Sequence, residues 1–187
     1  MHSKTYLSAI VLLTGAIALS TAEIAVAADG HSHGKASFDV ALDAKTIRIV
    51  GDIPLEALVG FERVPKSDAD TAKIKAAALL LRSADKLFTF SEEANCKSKQ
   101  TELSSTAINA TLLGGSASPA VASAPADSHI DIDAVWIFQC EKPEALKSMA
   151  VHLFDDFKGL KVIQVKVVGG KRQVGGRLTA SSRKVTW

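Results

Sequence analysis

The chain has 187 residues, 47% of them apolar and 22% charged, with a formal net charge of +2. Those values fit one globular domain, or one domain with a leader, able to bury a core. Beyond the N-terminal region no stretch approaches the ~20 apolar residues of a membrane helix.

Residues 1–28 read as a cleaved signal peptide. Lys4 precedes an apolar run from Tyr6 to Leu19, and Ala25-Val26-Ala27-Ala28 supplies small residues for cleavage after Ala27 or Ala28. The remainder, residues 29–187, then forms a single exported domain. An exported chain without a nucleic-acid motif is not expected to bind nucleic acid, and contact with the membrane is expected only through the signal peptide.

His31-Ser32-His33-Gly34 lies at the start of the mature chain and holds two of the five histidines of the whole sequence. Next, Ala36, Phe38, Val40 and Leu42 alternate with polar residues, Asp43-Ala44-Lys45 marks a turn, and Ile47 and Ile49 flank Arg48. Residues 35–51 therefore predict an antiparallel hairpin. Gly51, Pro54 and Gly60 break regular structure, with Leu55, Leu58, Val59 and Phe61 tucked inward. Ser67 with Asp70 predicts an N-cap with an acid in the first turn. The helix it opens runs to about Lys86, burying Ile74, Ala77, Ala78 and Leu81. Leu87-Phe88-Thr89-Phe90 fits either the end of that helix or a short strand.

Cys96 to Thr106 reads as an exposed polar strand. Residues 107–128, rich in Ala, Ser, Gly and Pro, read as a flexible loop with nothing to bury. His129 to Gln139 alternates strictly and predicts a central strand carrying Ile130, Ile132, Ala134, Trp136 and Phe138 on one face. Pro143 and Glu144 suit a helix start, and Leu146, Met149, Ala150, Leu153, Phe154 and Phe157 form an apolar stripe that predicts a second helix ending at Gly159. Leu160–Val168 is a strand, Gly169-Gly170 a hairpin turn and Lys171–Val174 its return, with a last short strand near Val185 and Trp187. The order β-β-α-β-loop-β-α-β-β predicts an α+β two-layer sandwich, a mostly antiparallel sheet covered by two helices.

Cys96 and Cys140 are the two cysteines. In an oxidising compartment they are expected to pair, the alternative being two thiolate metal ligands without C-x-x-C spacing. From Lys158 onward the chain carries eight Lys or Arg residues and no acid. That is either an ordinary solvated face or a docking face for an acidic partner or anionic lipid headgroups.

The chemistry points to metal. On an extended segment His31 and His33 lie on one side, roughly 7 Å apart, and imidazole suits zinc and copper. Two ligands do not complete a site, so His129 and Asp131, at the start of the aromatic strand, are the candidates to join them. Cleavage after Ala28 would expose Asp29-Gly30-His31, whose amine, amides and imidazole suit square-planar Cu2+ or Ni2+. His152 reads as a partly exposed helix residue, and Asp155 with Asp156 makes no acid/base pair in an evident cleft. No nucleophile elbow, phosphate loop, dinucleotide fingerprint or H-E-x-x-H is present, so an enzyme is not expected.

His31-x-His33-Gly34 before an alternating strand resembles the ZrgA-like family of zinc-regulated periplasmic proteins. So do Leu58-Val59-Gly60-Phe61-Glu62 with Pro65, then Cys96, then His129 before an aromatic strand ending in Cys140 and Pro143. Gly60-Phe61-Glu62 is the most specific piece, and the order covers nearly the whole mature chain. The resemblance implies a periplasmic zinc-binding accessory protein that assists the solute-binding component of a zinc ABC importer, with the cysteine pair a family feature. Two departures stand out. Arg63 follows Gly-Phe-Glu where a His is common, and residues 107–128 carry no His where many relatives have a His/Asp-rich insert. The resemblance thus implies a site on His31, His33 and His129 without a histidine-rich store. The competing reading is an envelope interaction module docking through its basic C-terminal sheet, with metal binding incidental.

Overall fold

The computed structural model describes residues 33–116, 129–170 and 172–187. Residues 1–28, which the sequence predicts to be a signal peptide, and His31 lie outside them, as does most of the Ala/Ser/Gly/Pro loop. Strands β1 (Lys35–Asp43) and β2 (Thr46–Pro54) form the expected hairpin, with Ala44 left-handed at φ 47° in the turn. Ala36, Phe38 and Val40 of β1 and Ile47, Ile49 and Ile53 of β2 are buried, while Ser37 and Asp39 between them are exposed. A period-2 pattern with one wet face yields this arrangement.

The hairpin is the middle of a six-stranded sheet, ordered β4-β5-β2-β1-β7-β8. β4 is Cys96–Ser104, β5 Asp131–Cys140, β7 Val162–Gly169 and β8 Arg172–Leu178. All neighbours are antiparallel except β1 and β7. The architecture is the mixed α+β class that the sequence predicts.

One face of this sheet carries the core. Against it lie helices α1 (Leu55–Val59), α2 (Asp68–Arg82) and α3 (Ala84–Leu87). Trp136 is fully buried at the centre, its ring centroid 5.6 Å from that of Phe38 and 5.0 Å from that of Phe88. Its indole N–H donates to the Leu81 carbonyl of α2 at 2.8 Å, so the one polar atom of the ring is satisfied. Gly51 makes room for this group, because a Cβ there would stand 2.9 Å from both Phe38 and Trp136.

Helix α2 starts as its sequence predicts. The Ser67 hydroxyl accepts from the Asp70 amide at 3.1 Å, while the Asp70 carboxylate reaches back to the Lys66 amide at 3.0 Å. Asp70 also accepts from the Arg63 guanidinium at 2.6 Å. That guanidinium, and next the Lys66 amide, hold the Asp70 carboxyl down to about 2. An unfolded Asp titrates near ~3.9, so the bonded carboxylate stabilises the fold fully above that pH and ceases to do so as pH falls through about 2. Asp70→Asn is therefore expected to be less stable than the parent at neutral pH. Chemical denaturation at stepped pH should show the gap closing between about pH 4 and pH 2.

Leu55–Val59 is a short helix where the sequence predicts a break, the helix expected to run to about Lys86 is divided at Ser83 into α2 and α3, and two further segments differ more from the expected elements. Residues 146–157 do not form a long helix: Pro143–Ala145 is a 3-10 turn, Ser148–Val151 is a strand (β6), and α4 is only Leu153–Asp156. β6 lies between β3 (Phe88–Phe90) and β9 (Lys184–Thr186) in a three-stranded antiparallel sheet. Pairing on both sides and complete burial of Met149 and Val151 override a stripe that has helical spacing. The run at Leu87–Phe90 is accordingly both things, a helix end followed by a strand.

The other difference is residues 107–116. Ile108 and Leu113 are fully buried there, and Arg82 ties the segment down by donating to the Leu113 carbonyl at 2.9 Å and to the Thr101 carbonyl at 3.1 Å. The part of the loop described here does have something to bury.

Cys96 and Cys140 face each other across β4 and β5 and form a disulfide. Neither sulfur is left as a thiolate ligand.

Candidate metal centre

The histidine end of the sheet is shaped by two left-handed glycines. Gly34, at φ 73°, turns the chain into β1, and a Cβ there would stand 2.5 Å from the Gly159 carbonyl oxygen. Its carbonyl accepts from the amides of Lys161 and Val162 at 2.7 and 3.1 Å, and its own N–H donates to Glu56 Oε1 at 2.8 Å. These bonds hold His33 beside α1. Its Nδ1 lies 3.2 Å from Glu56 Oε2.

Gly60, at φ 83°, is the left-handed cap of α1, with its N–H donating to the Glu56 carbonyl at 2.8 Å. The chain leaves α1 through Phe61 and Glu62, and Glu62 Oε1 meets His129 Nδ1 at 2.6 Å. On the His129 side the strand is fixed by the Leu55 amide, which donates to the Ile130 carbonyl at 2.8 Å. One short helix thus supplies a carboxylate to each histidine, Glu56 from its first turn and Glu62 from just past its end.

Both contacts use Nδ1. Only the Glu62–His129 contact is a hydrogen bond, His33 and Glu56 being at ion-pair distance; a carboxylate that accepts from Nδ1–H fixes the ring and aims Nε2 away from itself, the arrangement that carboxylates impose on histidine ligands of zinc. The imidazoles are accessible, with side-chain exposures of 76% for His33 and 45% for His129, while Glu56 and Glu62 are 25% and 23% exposed. Open histidines backed by half-buried carboxylates suit a site that takes up and gives back an ion.

β1 and β5 flank β2, and with ~4.8 Å between neighbouring strands their backbones run about 10 Å apart at this end. Asp131 stands in register with Pro54 at the start of β5. Two residues on, Asp133 faces Asp52 across the same pair of strands. Burial, and then the Asp52 charge, push the Asp133 carboxyl up.

Among the described residues no three His, Cys, Asp or Glu side chains are gathered as a metal-holding set. His33 pairs with Glu56 and His129 with Glu62, Asp131 shares their end of the sheet, and His31 with the Asp29-Gly30-His31 segment lies outside the described residues. Glu56 and Glu62 were absent from the candidates that the sequence suggests. Glu62 had a signal, its place in Gly60-Phe61-Glu62, whereas Glu56 had none.

Arg63, where a further histidine is common in the resembling family, is occupied elsewhere. It lies over the Phe61 ring at 4.6 Å from the centroid and bonds Asp70. His152 belongs to a different cluster, with Nε2 2.9 Å from the Thr89 hydroxyl and Nδ1 3.9 Å from Asp155. Asp155 in turn accepts from Arg183 at 2.6 Å, which holds its carboxyl below the usual range.

The basic C-terminal residues do not share one face. Lys158 donates to the Phe154 carbonyl, Arg183 is taken by Asp155, and Lys166 and Arg177 stand on the solvent face of β7 and β8.

The molecule is a small mixed α+β domain with a disulfide and with carboxylate-backed histidines at one end of its main sheet. The chain belongs to the ZrgA family, described as zinc uptake protein, whose profile matches residues 30–187. Its role accordingly lies in zinc uptake. No curated protein matches the chain.

Proposed function

We propose that this chain is a non-enzymatic periplasmic zinc-binding protein that assists zinc acquisition by an ABC importer, handing zinc to the importer's solute-binding protein. The observation that carries the reading is the pairing of both described N-terminal-end histidines, through Nδ1, with carboxylates from one short helix in a zinc uptake family. Zinc is cargo here. His33 and His129 would hold it through Nε2, with His31 and Asp131 as the further donors that a tetrahedral site needs. Glu56 and Glu62 would keep the rings oriented. The signal-peptide pattern of residues 1–28 supports the periplasmic location.

Calorimetric zinc titration of the mature protein tests this. The His31/His33 double alanine variant and His129→Ala should each lose most of the affinity. Glu62→Gln, which keeps the shape of the side chain but weakens its hold on Nδ1, should cost about 10–100-fold in affinity. Unchanged affinity in the double alanine variant ends the proposal. Sequencing the mature N-terminus decides whether Asp29-Gly30-His31 is also available to Cu2+ or Ni2+.

A further inference from the structure

The main sheet has two edges, and they are finished differently. On β4 the Ser98 amide donates to Asp85 Oδ1 at 2.9 Å, and the Thr101 carbonyl accepts from Arg82 at 3.1 Å. The strand also bulges between Ser98 and Gln100 and exposes Lys97 and Lys99. Adding a strand there would strip bonds already made, and the bulge spoils the register.

β8 has no bulge and, among the described residues, no side-chain hydrogen bond on its outer side, though it too exposes a cation, Arg177. Its pairing with β7 runs without a register shift from Gly169 opposite Arg172 to Ile163 opposite Leu178. Among the described residues no side chain caps its other side. Alternate residues of an antiparallel strand turn N–H and C=O away from the partner, so β8 presents a row of unpaired backbone groups. Gly175 and Gly176 lie in its middle, and a Cβ on Gly175 would meet nothing nearer than the Val165 carbonyl oxygen at 3.9 Å.

Charge decides what fits. Arg177 is exposed on the solvent face, opposite Gln164, and Lys166 is on the same face of β7 opposite Gly175. Asp39 is the register neighbour of Lys166 on its far side, but neither cation makes an ion pair among the described residues. A second copy pairing edge to edge would bring its own Arg177 to this cationic border, and like charges across a strand pair are destabilising. The other face of β8 is apolar, with half-buried Val174 and buried Leu178.

We propose that β8 is a docking edge for an extended segment of a partner protein that alternates acidic and apolar residues. The segment adds as a seventh strand, acids toward Arg177 and apolar side chains toward half-buried Val174. In the sheet order β8 is four positions from β5, the strand after His129, and two from β1, the strand after His33.

The probe is a capped peptide of alternating Glu and Val, long enough to pair all of β8, against a matched Lys and Val peptide. Hydrogen exchange of the full chain should show new protection on alternate amides of β8 with the acidic peptide only. Arg177→Glu, an exposed position whose thermal midpoint should match the parent, should weaken that binding at least about tenfold, equal to 1.4 kcal/mol. Absence of protection up to the solubility of the peptide, equal binding of both peptides, or an unaffected Arg177→Glu each overturns the proposal. So does β8 protection that grows with protein concentration alone, which would make the occupant a second copy.

Discussion

Trp136→Ala is expected to destabilise the domain by about 3–5 kcal/mol, the range for deleting a buried large aromatic. The side chain is wholly inside, touches Phe38 and Phe88, and joins the sheet to α2 through the Leu81 carbonyl. Alanine leaves a cavity on the central strands and an acceptor without its donor, and both costs fall on the same place. In a domain of this size each kcal/mol is worth ~2–4 °C, so the thermal midpoint should fall by about 6–20 °C. Trp136→Phe separates the two contributions: it keeps most of the ring contact and loses the hydrogen bond, so its cost should be about 1–3 kcal/mol. A midpoint within a degree or two of the parent for the alanine variant would mean that the Phe38, Phe88 and Trp136 group does not organise the core.

That group is also where the sequence is most informative. Phe38, Ile49, Trp136 and Phe138 each sit in a strand with one buried face, so alternation alone exposes both the strand and the inward residues. Ser67 and Asp70 are legible for a different reason, since an N-cap is settled within four residues of chain. Residues 146–157 fail on both counts. Met149, Leu153 and Phe157 have helical spacing, and the strands that claim Ser148–Val151 come from residues 88–90 and 184–186, outside any local window.

The site shows the same division. Histidines are rare in this chain and draw attention to themselves, whereas Glu56 is one acid among twenty. What makes it a partner of His33 is the left-handed turn at Gly34, whose own amide bonds Glu56 from 22 residues away in sequence. Glu62 reaches His129 across 67 residues, by way of Gly60. Spacing along the chain contains neither distance. The loop misled in the opposite direction, because a composition rich in Ala, Ser, Gly and Pro conceals that Ile108 and Leu113 are buried, with Arg82 holding the Leu113 carbonyl.

Removing the disulfide, by reduction or by a Cys96/Cys140 double serine variant, is expected to cost about 4 kcal/mol. The bond closes a loop across a sequence separation of 44, and in the chain-entropy account that restriction of the unfolded chain sets the stabilisation. The thermal midpoint should fall by about 8–16 °C. Zinc binding should not follow it. Cys140 ends β5 and His129 precedes its start, so the bond and the imidazole lie about 30 Å apart along the strand at ~3.3 Å per residue. The Nδ1 contacts that hold the rings come from Glu56 and Glu62, and neither touches β4. Zinc titration of the reduced protein, carried out well below its lowered midpoint, should therefore give the affinity of the oxidised one. A tighter affinity after reduction would make the sulfurs ligands in their own right and the disulfide a lock on a second site. A weaker one would show that the sheet transmits its loosened end to the histidines, and that the site is held by the whole of β5 rather than by α1.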